Sequence, residues 1–303
     1  MIHTLTGNLL AEHTLRFDDW TAGRTQRASA DAFQVGGKGI NVARMLHRLD
    51  TPVTALCFAG GATGQECTDW LARQGWPFQA FATAAATRLG LVVRAPGRPE
   101  TTFLGPDVAP DANAVAACVA FLQKQNPGDT LALCGSFPGW SSEAFAPLRE
   151  LAGDWAARGR LVADTYGPPL AELVRHPVNL IKINRHEFDG LFPESERPQA
   201  IAARLDAAGE RWPVRTWIVT DGPHAVWFKD ARLAPCSAQP PRVEEVSATG
   251  SGDVVFASVL HARSERGATL AEAVEFALPY GAANAASEGV ADFPLNHPVK
   301  RGS

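Results

Sequence analysis

Apolar and polar positions follow two rhythms along this chain. Short apolar runs of strand length are followed, again and again, by stretches whose apolar residues recur every three or four positions. "VTALCFAG" (53–60) leads to "TGQECTDWLARQG" (63–75), "TLALCGS" (130–136) to "SSEAFAPLRELAGDWAARG" (141–159), and "RLVADT" (160–165) to "PPLAELVRH" (168–176). "VNLIKIN" (178–184) then leads to "RHEFDGLF" (185–192), and "TWIVTDG" (216–222) to "HAVWFKD" (224–230), in the same strand–helix order. Strands this apolar must be covered on both faces, so the alternation predicts an α/β fold: a central, mostly parallel sheet with helices on either side.

Two stretches break the rhythm. Residues 10–35 and about 86–106 carry alternating, turn-punctuated β patterns with no long helix. They are expected to form a small β-sheet lid over a cleft, an irregular surface insertion being the simple alternative. No internal repeat or low-complexity linker divides the chain, so one domain over 1–303 is expected, with the lid segments inserted.

In open parallel sheets, ligands bind beyond the carboxyl ends of the strands. The polar clusters "GSFPG" (135–139), "DTYG" (164–167), "KINRHE" (182–187), "TDG" (220–222) and "ATGSGD" (248–253) would all lie on that one rim. Within "VSATGSGDVVFASVL" (246–260), Gly250, Ser251, Gly252 and Asp253 crowd the start of a helix. Unpaired N–H groups and the positive dipole end make a helix start an anion site, and glycines let a ligand approach the backbone closely. An Asp that merely stabilises the first helical turn is the plainer explanation. "VGGKGINVARML" (35–46) likewise joins a glycine turn to Lys38 and Asn41, a point charge and a group that both donates and accepts. It is neither a Walker A loop nor GxGxxG, which argues against a Rossmann dehydrogenase.

Composition narrows the partners. A net charge of −4 and a pI near 6.1 argue against a general nucleic-acid or membrane-surface binder. Five cysteines, an odd count without CxxC spacing, fit reduced thiols in a cytoplasmic protein. The opening "MIHTLTGNLLAEH" lacks the pattern of a signal peptide, and no apolar run reaches bilayer-spanning length.

"GGKGINVAR" and "TGSGD" resemble the two signatures of the ribokinase-like (PfkB) carbohydrate kinase family. "GGATG" (60–64), Thr87-Arg88, "GSFP", "DTYGPPL" and "KINRHE" follow the family's order, so the resemblance spans almost the whole chain. It is greatest to the branch acting on phosphorylated ketohexoses, the phosphofructokinases and tagatose-phosphate kinases. The resemblance implies a ribokinase-like fold and transfer of the ATP γ-phosphoryl group to a sugar hydroxyl. Asp253 matches the general base, and Gly250, Ser251 and Gly252 match the anion hole. A carboxylate kept ionised by the helix end is a weak base, sufficient for a hydroxyl that loses its proton late.

Further roles carry over by motif. Asn184 and Glu187 match the segment associated with nucleotide phosphates and magnesium, with Glu187 acting indirectly; a helix-capping pair is the alternative. Thr220 and Gly222 match a nucleotide-contacting loop, and Gly281 and Ala282 an adenine pocket, where plain helix packing is the alternative. Gly37, Lys38 and Asn41 match the sugar loop, Arg88 the phosphate-binding arginine of the lid, Arg27 a second such arginine, and Ser136 a hydroxyl contact. ATP and Mg2+ are implied, a monovalent cation accompanies some relatives, and a homodimer through paired lids is expected. A kinase for an unphosphorylated sugar or nucleoside, and a catalytically idle sugar-binding regulator, are the competing readings.

The chain also departs from the family pattern. Where the branch has an Asn-Pro-Ala-x-Asp-like segment, whose aspartate binds sugar hydroxyls, this chain has "TGNLLAEHT" (6–14). Glu12, with the same spacing to Thr14 but requiring an insertion, is one candidate to replace that aspartate, and Asn8 is another. "KIN" for Lys-Pro-Asn, and Tyr166 in "DTYG" where Ser is common, are milder departures.

Overall fold

The computed structural model describes residues 1–295 except 197, 199 and 232. Its main sheet contains β1 (Ile2–Thr6), β4 (Val53–Ala59), β5 (Phe78–Ala82), β8 (Thr130–Gly135), β9 (Leu161–Thr165), β10 (Leu180–Asn184), β11 (Thr216–Thr220), β12 (Val226–Asp230) and β13 (Cys236–Ala238). The spatial order is β13-β12-β11-β10-β9-β8-β1-β4-β5. From β5 to β11 every pairing is parallel, and β12 and β13 close the sheet antiparallel.

The one misread element is "HAVWFKD". It forms strand β12 rather than a helix, paired antiparallel to β11. Asp221, Gly222, Pro223 and His224 reverse the chain, with Gly222 at φ 56° and the His224 N–H donating to the Asp221 carbonyl. Beyond that turn, Val226 and Phe228 are buried while Trp227 and Lys229 between them are not, a period of two rather than 3.6.

The two faces of the sheet bury different residues. On one face Ala55, Cys57, Ala132 and Cys134 meet α1 (Lys38–Arg48), α8 (Ser251–Glu265) and α9 (Leu270–Ala285). On the other, Leu56, Phe58, Leu131 and Leu133 meet α3 (Ala112–Leu122), α4 (Ala146–Ala157), α5 (Pro168–Leu173), α6 (Arg185–Asp189) and α7 (Ile201–Arg211). Small strand residues on the first face let helices come close. As a result α8 is buried almost throughout its first ten residues, Asp253 included.

A second sheet has the order β3-β2-β6-β7, formed by β2 (Leu10–Arg16), β3 (Ala30–Gly36), β6 (Arg88–Arg94) and β7 (Thr101–Leu104). Leu10, Glu12, Gln34, Arg88, Val92 and Thr102 turn inward over the rim of the main sheet. On the outward side α2 (Gly61–Gln74) packs against β2 and β3, while Leu89, Leu91 and Phe103 are exposed. At its far end Arg16 and Arg94 pair with Glu288, and Glu100 accepts from Ser247 and Thr249, just ahead of α8.

Candidate active site

Between the second sheet and the carboxyl ends of the central strands lies a cleft of about 550 Å³. Asp253 sits at its floor in the first turn of α8, 5% exposed, accepting from Asn41 Nδ2 at 2.7 Å. Burial, reinforced by the nearby negative charge of Asp164, pushes its carboxyl up to about 6, while Lys38, Lys182 and the Asn41 bond oppose the rise. A carboxyl raised this far is still ionised at neutral pH, with Lys38, Lys182 and Asn41 as the groups that favour the charged form.

Asp164 near the end of β9 is fully buried and accepts from two ammonium groups, Lys38 Nζ and Lys182 Nζ, each at 2.7 Å. Burial alone would raise its pKa, but the attraction of Lys182 and Lys38 prevails and holds it below the usual carboxylate range. Burial would likewise deprotonate Lys38, yet Asp164, then Asp253 and Glu187, keep it firmly charged. Lys38 also lies over the Tyr166 ring at 5.6 Å.

The helix start is shaped around these charges. Gly250 has φ 75°, and a Cβ there would come within 2.4 Å of Val290. A Cβ on Gly252 would lie 2.5 Å from Lys182 Nζ. The ammonium is thus seated against the backbone of the helix entry, and a side chain at 252 would push it aside. Ser251 Oγ accepts from Asn284 Nδ2 at 3.0 Å, and the same amide holds the Thr249 carbonyl at 2.9 Å.

Asn184 and Glu187 form a complete capping box at the start of α6, as the plainer reading has it. Glu187 uses Oε2 on the Asn184 N–H, and its Oε1 stands 3.6 Å from Lys38 Nζ. Thr220 lines both the cleft and a second cavity of about 500 Å³. That cavity is walled by Gly222, Pro223, Val255, Leu278, Gly281 and Ala282. A Cβ on Gly281 would come within 2.5 Å of Val255, so this glycine permits the close contact of α8 and α9. The two cavities meet at Gly252 and Thr220; the cleft is lined by Lys38, Arg88, Lys182 and Asp253, the second cavity by Arg242 and Glu245 beside its glycines and aliphatic residues.

On the opposite wall, Gly37, Lys38, Asn41, Glu12, Arg88 and Ser136 all line the cleft. Arg88 Nη1 pairs with Asp107 at 2.9 Å, and its Nε is buried without a partner among the described residues. Asn8 donates to Asp107 at 2.7 Å and to Ser136 at 3.0 Å. Glu12 is 8% exposed and accepts from Gln34.

Arg27 is the exception among the sequence-derived candidates. It is exposed in the β2–β3 connection and does not line the cleft. The register pairs Leu10 with Gly36 at the cleft and Arg16 with Ala30 at the other end. Six residues of extended chain carry the connection about 20 Å away. Sequence reasoning gave no role to Asp164, Lys182 or Gln34. A charged residue inside an apolar strand, as in "LVADT" and "LIKIN", was the available signal for the first two; Gln34 had none.

Cations gathered at a helix N-terminus, with a buried carboxylate beside them and a second cavity next door, suit the transfer of an anionic group between two bound molecules on an α/β fold. The pfkB family carbohydrate kinase profile matches residues 8–297, and the chain belongs to that family. It is 34% identical over 280 residues to the 1-phosphofructokinase of Haloferax volcanii, covering 90% of this chain and 87% of that protein. It is 29% identical over 298 residues to the 1-phosphofructokinase of Borreliella burgdorferi (97% and 94% covered). The D-tagatose-1-phosphate kinase of Bacillus licheniformis is 24% identical over 299 residues (96% and 95%). Among solved structures, phosphofructokinase-2 from Escherichia coli in complex with fructose-6-phosphate matches with a TM-score of 0.84 and 25% identity, covering 94% of this chain and 93% of that one. The same Escherichia coli protein is known in complex with potassium and in a tetrameric inhibited form. The protein is accordingly an ATP-using carbohydrate kinase, and its relatives act on sugar phosphates.

Proposed function

We propose that this protein transfers the γ-phosphoryl group of ATP to a hydroxyl of a ketohexose phosphate, with a ketohexose 1-phosphate favoured by the names of its relatives. The observation that carries the mechanism is the buried Asp253 carboxylate at the start of α8, where the two cavities meet. The chamber walled by Val255 and Leu278 beside Gly222, Gly281 and Ala282 suits a purine, and the cleft lined by Lys38, Arg88 and Lys182 suits the sugar phosphate.

In this reading the sugar hydroxyl attacks the γ-phosphorus, a P–O bond forms to the sugar oxygen, and the bond to the β,γ-bridging oxygen breaks, releasing ADP. Asp253 takes the hydroxyl proton, and Asn41 holds its carboxylate toward the cleft. The N–H groups at Gly250 and Gly252, with Lys182 Nζ seated against Gly252, stabilise charge on the equatorial oxygens, while the Ser251 N–H is donated to the Ala248 carbonyl at 3.2 Å. Lys38 neutralises charge on the sugar side, and Arg88, whose buried Nε lacks a partner among the described residues, grips the substrate phosphate in competition with Asp107.

The donor set fits a magnesium ion held chiefly by nucleotide oxygens and water. Asp164 is engaged by two lysines, and Glu187 has one oxygen engaged by its capping bond. When bound, such an ion would draw off negative charge from the transferred group, and Glu187 and Asn184 are the residues that would hold it, through water. The potassium complex of the Escherichia coli neighbour supports a monovalent cation as a further requirement. Exposed Leu89, Leu91 and Phe103 support pairing of two lids in a homodimer, and the absence of disulfides suits the cytoplasm.

The test is ADP release from magnesium-ATP with fructose 1-phosphate, tagatose 1-phosphate, fructose 6-phosphate, free fructose and adenosine. Turnover of a phosphorylated ketose is expected. Turnover of an unphosphorylated compound alone would overturn the substrate assignment and leave Asp253 in its role.

A further inference from the structure

Gln34 belongs to none of the motifs discussed above, yet it stands directly across from Glu12 in the β2–β3 register and faces the cleft. Its Nε2 donates to Glu12 Oε1. Its Oε1 accepts from Arg44 Nη1 at 3.5 Å, and that guanidinium is itself held by the Val290 carbonyl at 2.9 Å. The chemistry of the neighbours fixes the amide. A guanidinium only donates and a carboxylate only accepts, so Gln34 must turn its oxygen to Arg44 and its NH2 to Glu12.

The arrangement addresses a difficulty that Glu12 poses. A glutamate is longer than an aspartate and has one more torsion, so left alone it would hold no single position in the cleft. Gln34 engages Oε1, and Oε2 lies beside Gly36, where a Cβ would come within 3.4 Å of it. Arg44 is on the helix that also presents Lys38 and Asn41, at successive steps of three residues. One face of α1 therefore sets the sugar-reading carboxylate, the catalytic aspartate and the charged lysine together.

Resting on the sugar-phosphate kinase reading, we propose that Gln34, oriented by Arg44, is a positioning residue that fixes Glu12 so that Oε2 accepts one ketose hydroxyl. The Glu12–Gln34 pair then discriminates between ketohexose phosphates that differ only in the configuration of that hydroxyl. A buried acceptor held in one place rejects a hydroxyl pointing the other way far better than a mobile one does.

The experiment measures kcat and KM for fructose 1-phosphate and tagatose 1-phosphate in the wild type, Gln34→Ala, Gln34→Glu, Glu12→Ala and the Glu12→Ala/Gln34→Ala double variant. Gln34→Ala should raise the sugar-phosphate KM about tenfold and bring the preference between the two epimers toward one, with KM for ATP unchanged. Gln34→Glu, which keeps the size but sets acceptor against acceptor, should do the same and covers the case in which the alanine variant misfolds. In the Glu12→Ala background, removing Gln34 should have little further effect. Equal losses in both backgrounds, or an unaltered epimer preference, overturn the positioning role. A wild type that turns over neither ketose 1-phosphate overturns the 1-phosphate assignment first, and this inference with it.

Discussion

Asp253 is two things at once: a group that must be ionised to take a proton, and a group that its surroundings discourage from ionising. Burial and Asp164 raise it to about 6, so the reactive carboxylate is lost as pH falls through that value. Below about pH 6, kcat/KM is expected to drop roughly tenfold per unit, and above it to level off. A flat pH–rate profile across that range would remove Asp253 as the base. Asp253→Asn, similar in shape but unable to accept the proton, should lower kcat by about 10²–10⁴ while ATP binding measured by calorimetry persists. Asp164 differs in kind, because its task is to compensate two ammonium groups. Asp164→Asn would leave Lys182 and Lys38 facing one another with no carboxylate between them, and is expected to lower urea stability by about 3–5 kcal/mol. Asp253 was legible in the sequence because it follows a glycine signature. Asp164 and Lys182 lie in quoted motifs, but their pairing joins neighbouring strands and has no sequence spacing to reveal it.

At the scale of elements, the entry of α8 explains why its glycines are not interchangeable with alanine. Gly250 turns the chain with a positive φ beneath Val290, whereas Gly252 makes room for a buried ammonium. Gly252→Ala would drive Lys182 off the helix start, and a loss in kcat of about 10² is expected, the scale for removing one stabilising donor. Unchanged turnover in that variant would show that the ammonium takes no part in stabilising the transferred group. Periodicity read most strands and helices correctly because apolar runs of one type dominated each of them. It failed at "HAVWFKD", a stretch too short to separate the two periods without the turn before it. Arg27 misled for a related reason. It precedes the glycine loop in sequence, but the hairpin carries it to the far end of the strands.

Over the whole molecule, Glu12, Gln34 and Arg88 sit on the small sheet, whereas Lys38 and Asn41, which would also meet the sugar, sit on α1 beside the catalytic aspartate. The exposed face of Leu89, Leu91 and Phe103 is expected to be covered by a second lid, so Leu91→Asp combined with Phe103→Asp should convert a dimer to a monomer in light-scattering measurements. A wild type that is already monomeric would overturn the pairing. The two sheets themselves were legible as a change of rhythm along the chain, whereas the contacts joining them, Arg16 and Arg94 to Glu288 and Glu100 to Ser247 and Thr249, span distances in sequence that no local pattern records.

Among the described residues, no strand of the small sheet is hydrogen-bonded to a strand of the large one. Glu12, Gln34 and Arg88 ride on the small sheet, while Asp253, Lys182 and the glycines belong to the large sheet and its buried helix. Part of the selectivity is thereby carried apart from the reactivity, with Arg44 as the link between them. Strands β2, β3 and β6 form a cassette that protein engineers could rewrite for a new acceptor, leaving the machinery that delivers the phosphoryl group untouched beneath it.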